Sequence, residues 1–265
     1  MADIFLFMQH GWKNIWKQNT IWVFSILPFL NQLFIAFQTK PASNLPWSIL
    51  LLVGSFISLI LLFVSYTGVP YIEYNFSIGK SVTIQETLSA TRRFSGKILG
   101  CSCLGILILS PWIILAFATS IKNPTKLTLL LQPLSLVSAV WYFSMFGFFA
   151  NDWGIRQTLK HAWLIFTAHF NVLATLGIIM TIILKICSVA SGILTVLIQS
   201  GFNATSLNTL NYINPSISLS KNVLFVLLNG IGQTIFTIFS VSVFALAYLK
   251  YTAGQKQSTN HQHNV

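Results

Sequence analysis

The sequence predicts an all-α polytopic membrane protein with six spanning helices and three helices that lie on the membrane surface. First, 54% of the residues are hydrophobic and only 7% are charged, whereas a soluble domain carries about 25% charged residues. Second, the apolar residues fall in long runs, each close to the roughly 20 residues that cross a bilayer. Third, a short amphipathic segment precedes a pair of such runs at three places in the chain.

The best defined of these amphipathic segments is 151–166, NDWGIRQTLKHAWLIF. Its apolar residues recur at helical spacing and form one stripe along a helix. The stripe consists of Ile155, Leu159, Ala162 and Phe166. Charged and amide residues fall outside the stripe, and an apolar run follows immediately. We therefore predict a helix that lies on the membrane surface.

Two earlier segments repeat this pattern. In segment 81–93, which lies 71 residues earlier, the matching positions are Ile84, Leu88 and Thr91. In segment 3–17 they are Ile4, Met8, Gly11 and Ile15. The tripeptide His10-Gly11-Trp12 also returns as His161-Ala162-Trp163. We predict a threefold repeat of one cytoplasmic surface helix followed by a membrane hairpin.

The predicted repeat units are 3–75, 81–150 and 152–250, within a single transmembrane domain at 1–250. The predicted spans are 20–37, 47–66, 97–118, 127–150, 170–189 and 224–249. The apolar pattern of the fifth span continues to Ile198, which is too long for one upright crossing. Pro28 and Pro111 fall within spans, where we expect kinks. Residues 251–265 are polar and are expected to be disordered.

The basic residues predict the orientation of the spans. Ten Lys and Arg fall on the side of the termini and of the second and fourth loops, against four on the other side. Because cytoplasmic loops carry the excess of Lys and Arg, both termini and all surface helices are predicted at the cytoplasmic face of the plasma membrane. Several cations are expected to contact anionic headgroups of the inner leaflet, each contributing about 1 kcal/mol. They are Lys80, Arg92, Arg93, Lys97, Arg156 and Lys160.

Acidic residues and histidines are scarce, and all are predicted at the cytoplasmic face. The acids are Asp3, Glu73, Glu86 and Asp152. A proton-coupled carrier relies on such groups near the middle of the membrane, so that class is disfavoured, as are intramembrane metalloenzymes and two-carboxylate hydrolases. A membrane enzyme would require Glu73, Glu86, Asp152 and His161 to meet. No catalytic residue, cofactor or metal is predicted, since His161 and His169 lie about 12 Å apart along a helix.

Lys185 is the one charged residue placed within a predicted span. It could bind an anion or act as a counter-ion. It could instead extend to the headgroups, because the fifth span is predicted to end near Val189, about one helical turn away. The sequence leaves both alternatives open.

Polar and small residues form one stripe in each of the last two spans. The first stripe is Gly177, Thr181, Lys185, Ser188 and Gly192. The second is Asn229, Gln233, Thr237 and Ser240. Such stripes commonly permit close helix packing. Alternatively, a polar path or ligand pocket would be lined by Lys185, Thr181, Ser188, Asn229, Gln233 and Thr237.

Other features exclude some partners and cross-links. The basic residues are not interleaved with aromatic residues on a polar face, so nucleic acid is not a predicted partner. The three cysteines lie in apolar segments without ligand spacing, which disfavours disulfides and zinc. Gly96-x-x-x-Gly100 has the spacing of a close helix contact, either within the chain or in a homo-oligomer.

The surface segments also carry a short motif. Its two copies are Ile84-Gln85-Glu86-Thr87-Leu88-Ser89-Ala90 and Ile155-Arg156-Gln157-Thr158-Leu159-Lys160-His161-Ala162-Trp163. With this motif the chain resembles prokaryotic six-helix integral membrane proteins that are similar to the membrane domain of some glycerophosphodiester phosphodiesterases. The resemblance implies a stand-alone membrane module. The phosphodiesterase barrel of that family is a separate soluble domain with acidic metal ligands, for which this chain has no room, so no catalytic residue is carried over.

These observations predict a non-enzymatic membrane module. It would be a scaffold or an accessory subunit of a membrane transport or envelope system. Its expected partners are anionic lipids and either another membrane protein or a second copy of the chain. The alternative is a transporter or channel for a small or amphiphilic solute that uses the polar path between the last two spans.

Overall fold

The computed structural model describes residues 2–37, 45–120, 138–199 and 223–262. Within these ranges the fold is entirely α-helical. The helices are α1 (Ala2–Ile15), α2 (Asn19–Ser25), α3 (Leu27–Phe37), α4 (Leu45–Ser77), α5 (Ile84–Ser120), α6 (Ser138–Asn151), α7 (Ile155–Ala168), α8 (Phe170–Gln199) and α9 (Val223–Gln262).

Four of these helices contain a stretch that is long and apolar enough to cross a membrane. The stretches are Leu52–Ser77, Ile84–Pro111, Phe170–Ile198 and Leu224–Ala253. All are longer than the roughly 20 residues that an upright span requires. The chain therefore has the architecture of an all-helical, multi-pass membrane protein.

The first predicted span, 20–37, is divided into α2 and α3. The division falls at Ile26, and Pro28 is the second residue of α3. Proline has no N–H to donate to the preceding turn, and its ring crowds that turn. The kink predicted from the sequence is therefore a break between two short helices.

The predicted surface helix at 81–93 and the predicted span 97–118 belong to one helix, because α5 runs through both without a break. One buried stripe runs through the junction. Its members are Thr87, Thr91, Phe94, Ile98 and Cys101. Gly96 lies at the junction, where glycine costs a helix about 1 kcal/mol and does not end it.

Several other predicted boundaries move outwards. Helix α4 continues from the predicted end at 66 to Ser77, with Pro70 inside it. Helix α8 continues beyond 189 to Gln199, and α9 continues beyond 249 to Gln262, into the segment expected to be disordered. The predicted span 127–150 is described only from Ser138, and its first part lies outside the described residues.

The chain packs as two compact units, and each unit is formed from separate stretches of sequence. Unit 1 comprises α1, the described residues of Pro70–Thr181, and α9 from Phe239. Unit 2 comprises the described residues of Gln18–Val69 and Ile182–Ile238. Helices α4, α8 and α9 thus contribute residues to both units.

Unit 1 has an aromatic core. Its largest fully buried side chains include Phe143, Phe146, Phe148, Phe244 and Tyr248. Their rings pack against one another. Phe143 and Tyr248, for example, meet edge to face with 5.4 Å between the ring centroids. Each such ring buries roughly 150–250 Å², so this cluster holds α6 and α9 together.

Helix α1 packs on α9 within unit 1. It buries Ile4, Phe7, Gly11 and Ile15. A Cβ at Gly11 would lie 2.7 Å from Val243 Cγ2, so only glycine permits this close approach. The contact also contains polar pairs, because the Asn14 amide donates to the Ser242 hydroxyl at 3.3 Å and Lys250 pairs with Asp3 at 2.6 Å.

Unit 2 is held by α9 against α3 and α8. A Cβ at Gly230 would overlap the ring of Phe29, so this ring rests directly on the backbone of α9. On α8, Cys187 Cβ lies 3.8 Å from the Cβ position of Gly232. Glycine on α9 therefore determines how closely both neighbours approach, as is common in membrane helix packing.

Candidate functional site

Two cations of unit 1, Arg93 and Lys97, converge on Asp152. Helix α6 ends at Asn151, and Asp152 adopts a left-handed conformation with φ of 52°. Its N–H bonds to the carbonyl of Phe148 at 3.0 Å, which closes the last turn of α6. This turn presents the carboxylate to Lys97 at 2.5 Å and to Arg93 at 2.6 Å. Hydrogen bonds from Lys97 and Arg93 lower the pKa of Asp152.

The six cations that are predicted to contact headgroups fall into two groups. Arg93 and Lys97 are engaged with Asp152. The others, Lys80, Arg92, Arg156 and Lys160, have exposed side chains. Between α9 and α1 of the same unit, a hydrogen bond from Lys250 lowers the pKa of Asp3. The two exposed aspartates are thus paired with lysine and arginine. Glu86 is exposed and bonds to Thr83, while Lys80, Arg92, Arg156 and Lys160 give the described surface of unit 1 an excess of positive charge.

Glu73 lies beyond residue 66, where the second span is predicted to end, and is predicted at the cytoplasmic face. The structure places it inside α4 with no exposed surface. Neither carboxylate oxygen has a hydrogen-bond partner of ordinary geometry, although Ser242 lies within reach. The apolar neighbours Val69 and Ile72, which are also buried, were the signal that the helix continues past residue 66.

In the part of the chain that the structure describes, no hydrogen bond or ion pair joins the four groups that a membrane enzyme would need. Glu86 bonds to Thr83 at the start of α5, and Asp152 pairs with Arg93 and Lys97. Glu73 is buried near Ser242. Among the described residues, no group of three or more His, Cys, Asp and Glu could hold a metal ion.

An apolar groove of about 550 Å³ lies between α5, α6 and α7 in unit 1. Helix α5 contributes the residues from Cys101 to Leu109 along one side, Trp141 and Ser144 belong to α6, and Leu159 and Trp163 belong to α7. The side chains that line it are mostly apolar or small. The groove is therefore suited to hydrocarbon rather than to a polar solute.

A second cavity in unit 1, of about 640 Å³, has aromatic walls. It is lined by Tyr74, Trp153, His161 and Tyr248, together with polar Asn151 and Thr252. Trp153 and His161 meet edge to face at 4.9 Å. Burial lowers the pKa of His161, so its ring is neutral at pH 7 and can both donate and accept a hydrogen bond.

Unit 2 contains a smaller polar cavity of about 210 Å³. Two members of the predicted polar path, Gln233 and Thr237, line it. The opposite wall comes from α2, α3 and α4 rather than from α8. It includes Ser25, Asn31 and Tyr66. Within unit 2, this part of the α9 stripe thus faces the first two predicted spans.

The other predicted path residues lie elsewhere. Thr181 bonds its hydroxyl to the carbonyl of Gly177 at 2.9 Å, and neither Thr181 nor Ser188 lines the polar cavity. The buried amide oxygen of Asn229 has no hydrogen-bond partner. Lys185 is exposed near the middle of α8, so the end of the helix is farther away than the sequence-based frame predicted.

Comparison with known proteins found no match. No protein-family model matches the sequence, and neither a curated protein nor a solved structure gives a significant match.

Proposed function

We propose that this chain is a non-enzymatic integral membrane module that rests on the anionic inner leaflet and serves as a scaffold or accessory subunit of a membrane transport or envelope system. In this proposal six helices cross the membrane, both termini are cytoplasmic, and α1, the start of α5 and α7 lie at the cytoplasmic face. The observation that carries the proposal is the pair of helices α1 and α7, each with one face packed on protein and large apolar residues on another.

Both helices bury a stripe and expose aromatic side chains next to cations. Helix α7 buries Thr158, Ala162, Ile165 and Phe166. Trp12 on α1 is 53% exposed and Trp163 on α7 is 54% exposed. Lys13 and Lys160 are exposed on the same two helices. Tryptophan and lysine beside a buried stripe are typical of helices at the membrane interface.

The burial pattern supports the threefold repeat. The matched residues Gly11 and Ala162 are both buried, while the tryptophans that follow them are both exposed. In the middle copy, Thr87 and Thr91 are buried like Thr158 and Ala162. The same face of the motif is therefore turned towards protein at all three places.

Cysteine accessibility tests the orientation. We expect single cysteines in place of Lys17, Lys80 and Lys160 to react with a membrane-impermeant maleimide in inverted vesicles but not in intact cells. All three lysines are exposed, so the substitutions remove no buried contact. The wild-type chain, with its cysteines in apolar helices, is the control. Reaction of any one of the three in intact cells would refute a shared cytoplasmic face.

Purification in mild detergent with native lipids tests the scaffold role. We expect one membrane protein to co-purify at a constant ratio, and cross-linking in the native membrane before extraction to give the same pair or a homo-oligomer. A chain that remains monomeric before and after extraction, and that alone confers solute flux on vesicles, would replace the scaffold proposal with a transport function.

The polar cavity of unit 2 favours a second candidate, a path for a small or amphiphilic solute. Gln233 and Asn31 place amide groups at this cavity. If the cavity conducts a solute, Gln233→Leu together with Asn31→Leu should abolish flux in reconstituted vesicles. The matched variant Lys185→Leu changes an exposed residue outside the cavity and should leave flux unchanged. Equal flux in both variants would remove this candidate.

A further inference from the structure

We propose that the apolar groove of unit 1 is a specific site for an anionic phospholipid, with one acyl chain in the groove and the headgroup phosphate at the cations beside it. The groove is the cavity lined by α5, α6 and α7. This inference rests on the proposed function, because it requires these helices to face the inner leaflet.

The walls of the groove offer hydrocarbon contacts and little else. Two of its lining residues are serines, but the Ser102 hydroxyl bonds to the carbonyl of Ile98 and the Ser144 hydroxyl bonds to that of Val140. Both hydroxyls donate within their own helices. Because these donors are already used, a polar solute would gain no hydrogen bond from them, whereas an acyl chain requires none.

The length of the groove suits an acyl chain. The lining residues of α5 extend from Cys101 to Leu109, which is about 12 Å of helix. One leaflet of a bilayer contains roughly 15 Å of hydrocarbon, so the groove follows most of the length of an acyl chain.

The cations lie at one end of the groove. Lys97 is one helical turn before Cys101, the first lining residue of α5. Helix α7 crosses α5 at this point, where Ile155 Cδ1 lies 2.6 Å from the Cβ position of Gly100. Arg93 and Lys97 share a single carboxylate, that of Asp152.

Helix α7 adds two exposed cations beside the groove and a tryptophan that lines it. Arg156 and Lys160 are exposed, and Lys160 adjoins the lining residue Leu159. Trp163, which also lines the groove, belongs to a residue type that prefers the level of the headgroups. A phosphate here would meet an excess of positive charge while its acyl chain follows α5 into the membrane.

Quenching by brominated lipids tests the site, because Trp141 and Trp163 line the groove. The full-length chain is reconstituted into mixed phosphatidylcholine and phosphatidylglycerol vesicles in which only one of the two lipids carries dibrominated chains. We expect brominated phosphatidylglycerol to quench more than brominated phosphatidylcholine at equal mole fraction. Trp163→Phe should remove a large part of this excess.

Gly105→Leu fills the groove and should abolish the excess quenching. A Cβ at Gly105, which lines the groove, meets no atom within 4 Å, so the variant is expected to fold. Gly96→Leu is the matched control, since its Cβ position is equally open and it lies on the same helix outside the groove. Unchanged excess in Gly105→Leu would overturn the proposal. Equal loss for both lipids in that variant would also overturn it, because the groove would then accept any acyl chain.

Charge variants provide a second measurement. Arg156→Gln with Lys160→Gln should reduce the phosphatidylglycerol excess at least several-fold. The control pair Lys13→Gln with Lys17→Gln removes the same charge from the first surface helix and should not. An equal reduction in both pairs would show general attraction to an anionic bilayer, which overturns the specific site and leaves the proposed function intact. If all variants and the wild type show no preference for anionic lipid, the site and the leaflet proposal both fail.

Discussion

The start of α5 and helix α7 carry the same sequence motif but continue in different ways. In both, the threonine of the Thr-Leu pair has no exposed surface, at Thr87 and at Thr158. Helix α5 then runs on to Ser120, whereas α7 ends at Ala168 and the chain turns into α8. The same buried face is therefore compatible with one continuous helix and with a short helix that ends before the next one begins.

One difference lies where α7 ends. His169 caps α7, where its N–H bonds to the carbonyl of Ile165, and its ring stacks on Tyr251 with 3.8 Å between the ring centroids. The residue 71 positions earlier is Ile98 of α5, which is buried. The same buried face is thus followed by a stacked histidine where the helix ends and by a buried isoleucine where the helix continues.

The largest expected effect comes from placing a break in α5 where the other copy has one. Gly96→Pro should reduce stability by about 3 kcal/mol, because proline within a helix removes a hydrogen bond and clashes with the preceding turn. Ile84→Pro is the control at the first helical position, where proline is tolerated. Thermal unfolding in mild detergent measures both. A Gly96→Pro protein as stable as the control would show that α5 is divided like α7 and α8.

The next effect concerns the packing that holds α7 in place. A Cβ at Gly147 would lie 2.9 Å from Thr158 Cγ2, so Gly147→Leu should separate α6 from α7 and cost about 1–3 kcal/mol. Gly96→Leu has open space for its side chain and should keep the wild-type melting temperature. Similar melting temperatures for both variants would mean that this contact does not support α7.

The two helices also begin differently, which predicts a smaller effect. Thr83 and Glu86 form a reciprocal cap on α5, with Thr83 N to Glu86 Oε2 at 2.8 Å and Glu86 N to Thr83 Oγ1 at 3.2 Å. Gly154 gives α7 no side-chain cap. Thr83→Ala should therefore cost about 1 kcal/mol, and Gly154→Ser should add a few tenths of a kcal/mol. Chemical or thermal unfolding measures both variants. The prediction would be contradicted if both substitutions raised, or both lowered, the free energy of unfolding.

The smallest effect is a pH dependence at the turn after α7. Burial lowers the pKa of His169, so the folded state favours the neutral ring. Stability should fall as the pH drops below about 6.5, the usual pKa of histidine, and stop falling once the folded protein is protonated as well. His169→Phe keeps a ring against Tyr251 and should flatten part of this slope between pH 7 and pH 5.5. If the slope of stability against pH were unchanged in this variant, the pH dependence would come from other groups such as His161.

The helical class could be predicted because apolar length and helical spacing are properties of the sequence. Four stretches have the length and apolar content of spans. The predicted stripes are only partly buried: Gly11 and Ala162 are buried, whereas Ile84 and Leu88 are 47% and 48% exposed. The spacing of residues along the sequence does not identify the residues that they contact in the fold. Glu73 was therefore placed outside the membrane helix, although α1 and α9 surround this region of unit 1 with Asn14 and Ser242.

The orientation of the α9 stripe was not predictable for the same reason. Gln233 and Thr237 face a cavity with Asn31 rather than Lys185. The sequence indicates which side of a helix is polar, but the close approach of Phe29 to Gly230 determines which neighbour meets that side. The hydropathy pattern does not show which glycine will allow such a close approach.

The packing of α1 on α9 sets an order of events during synthesis. Asn14 and the Ser242 hydroxyl to which it donates are 228 positions apart. At ordinary rates of translation, roughly 10–50 s separate the emergence of these two residues. During that interval the nascent chain carries a first helix whose inner face has no partner, so it must rest on lipid or on an assembly factor until the last helix arrives.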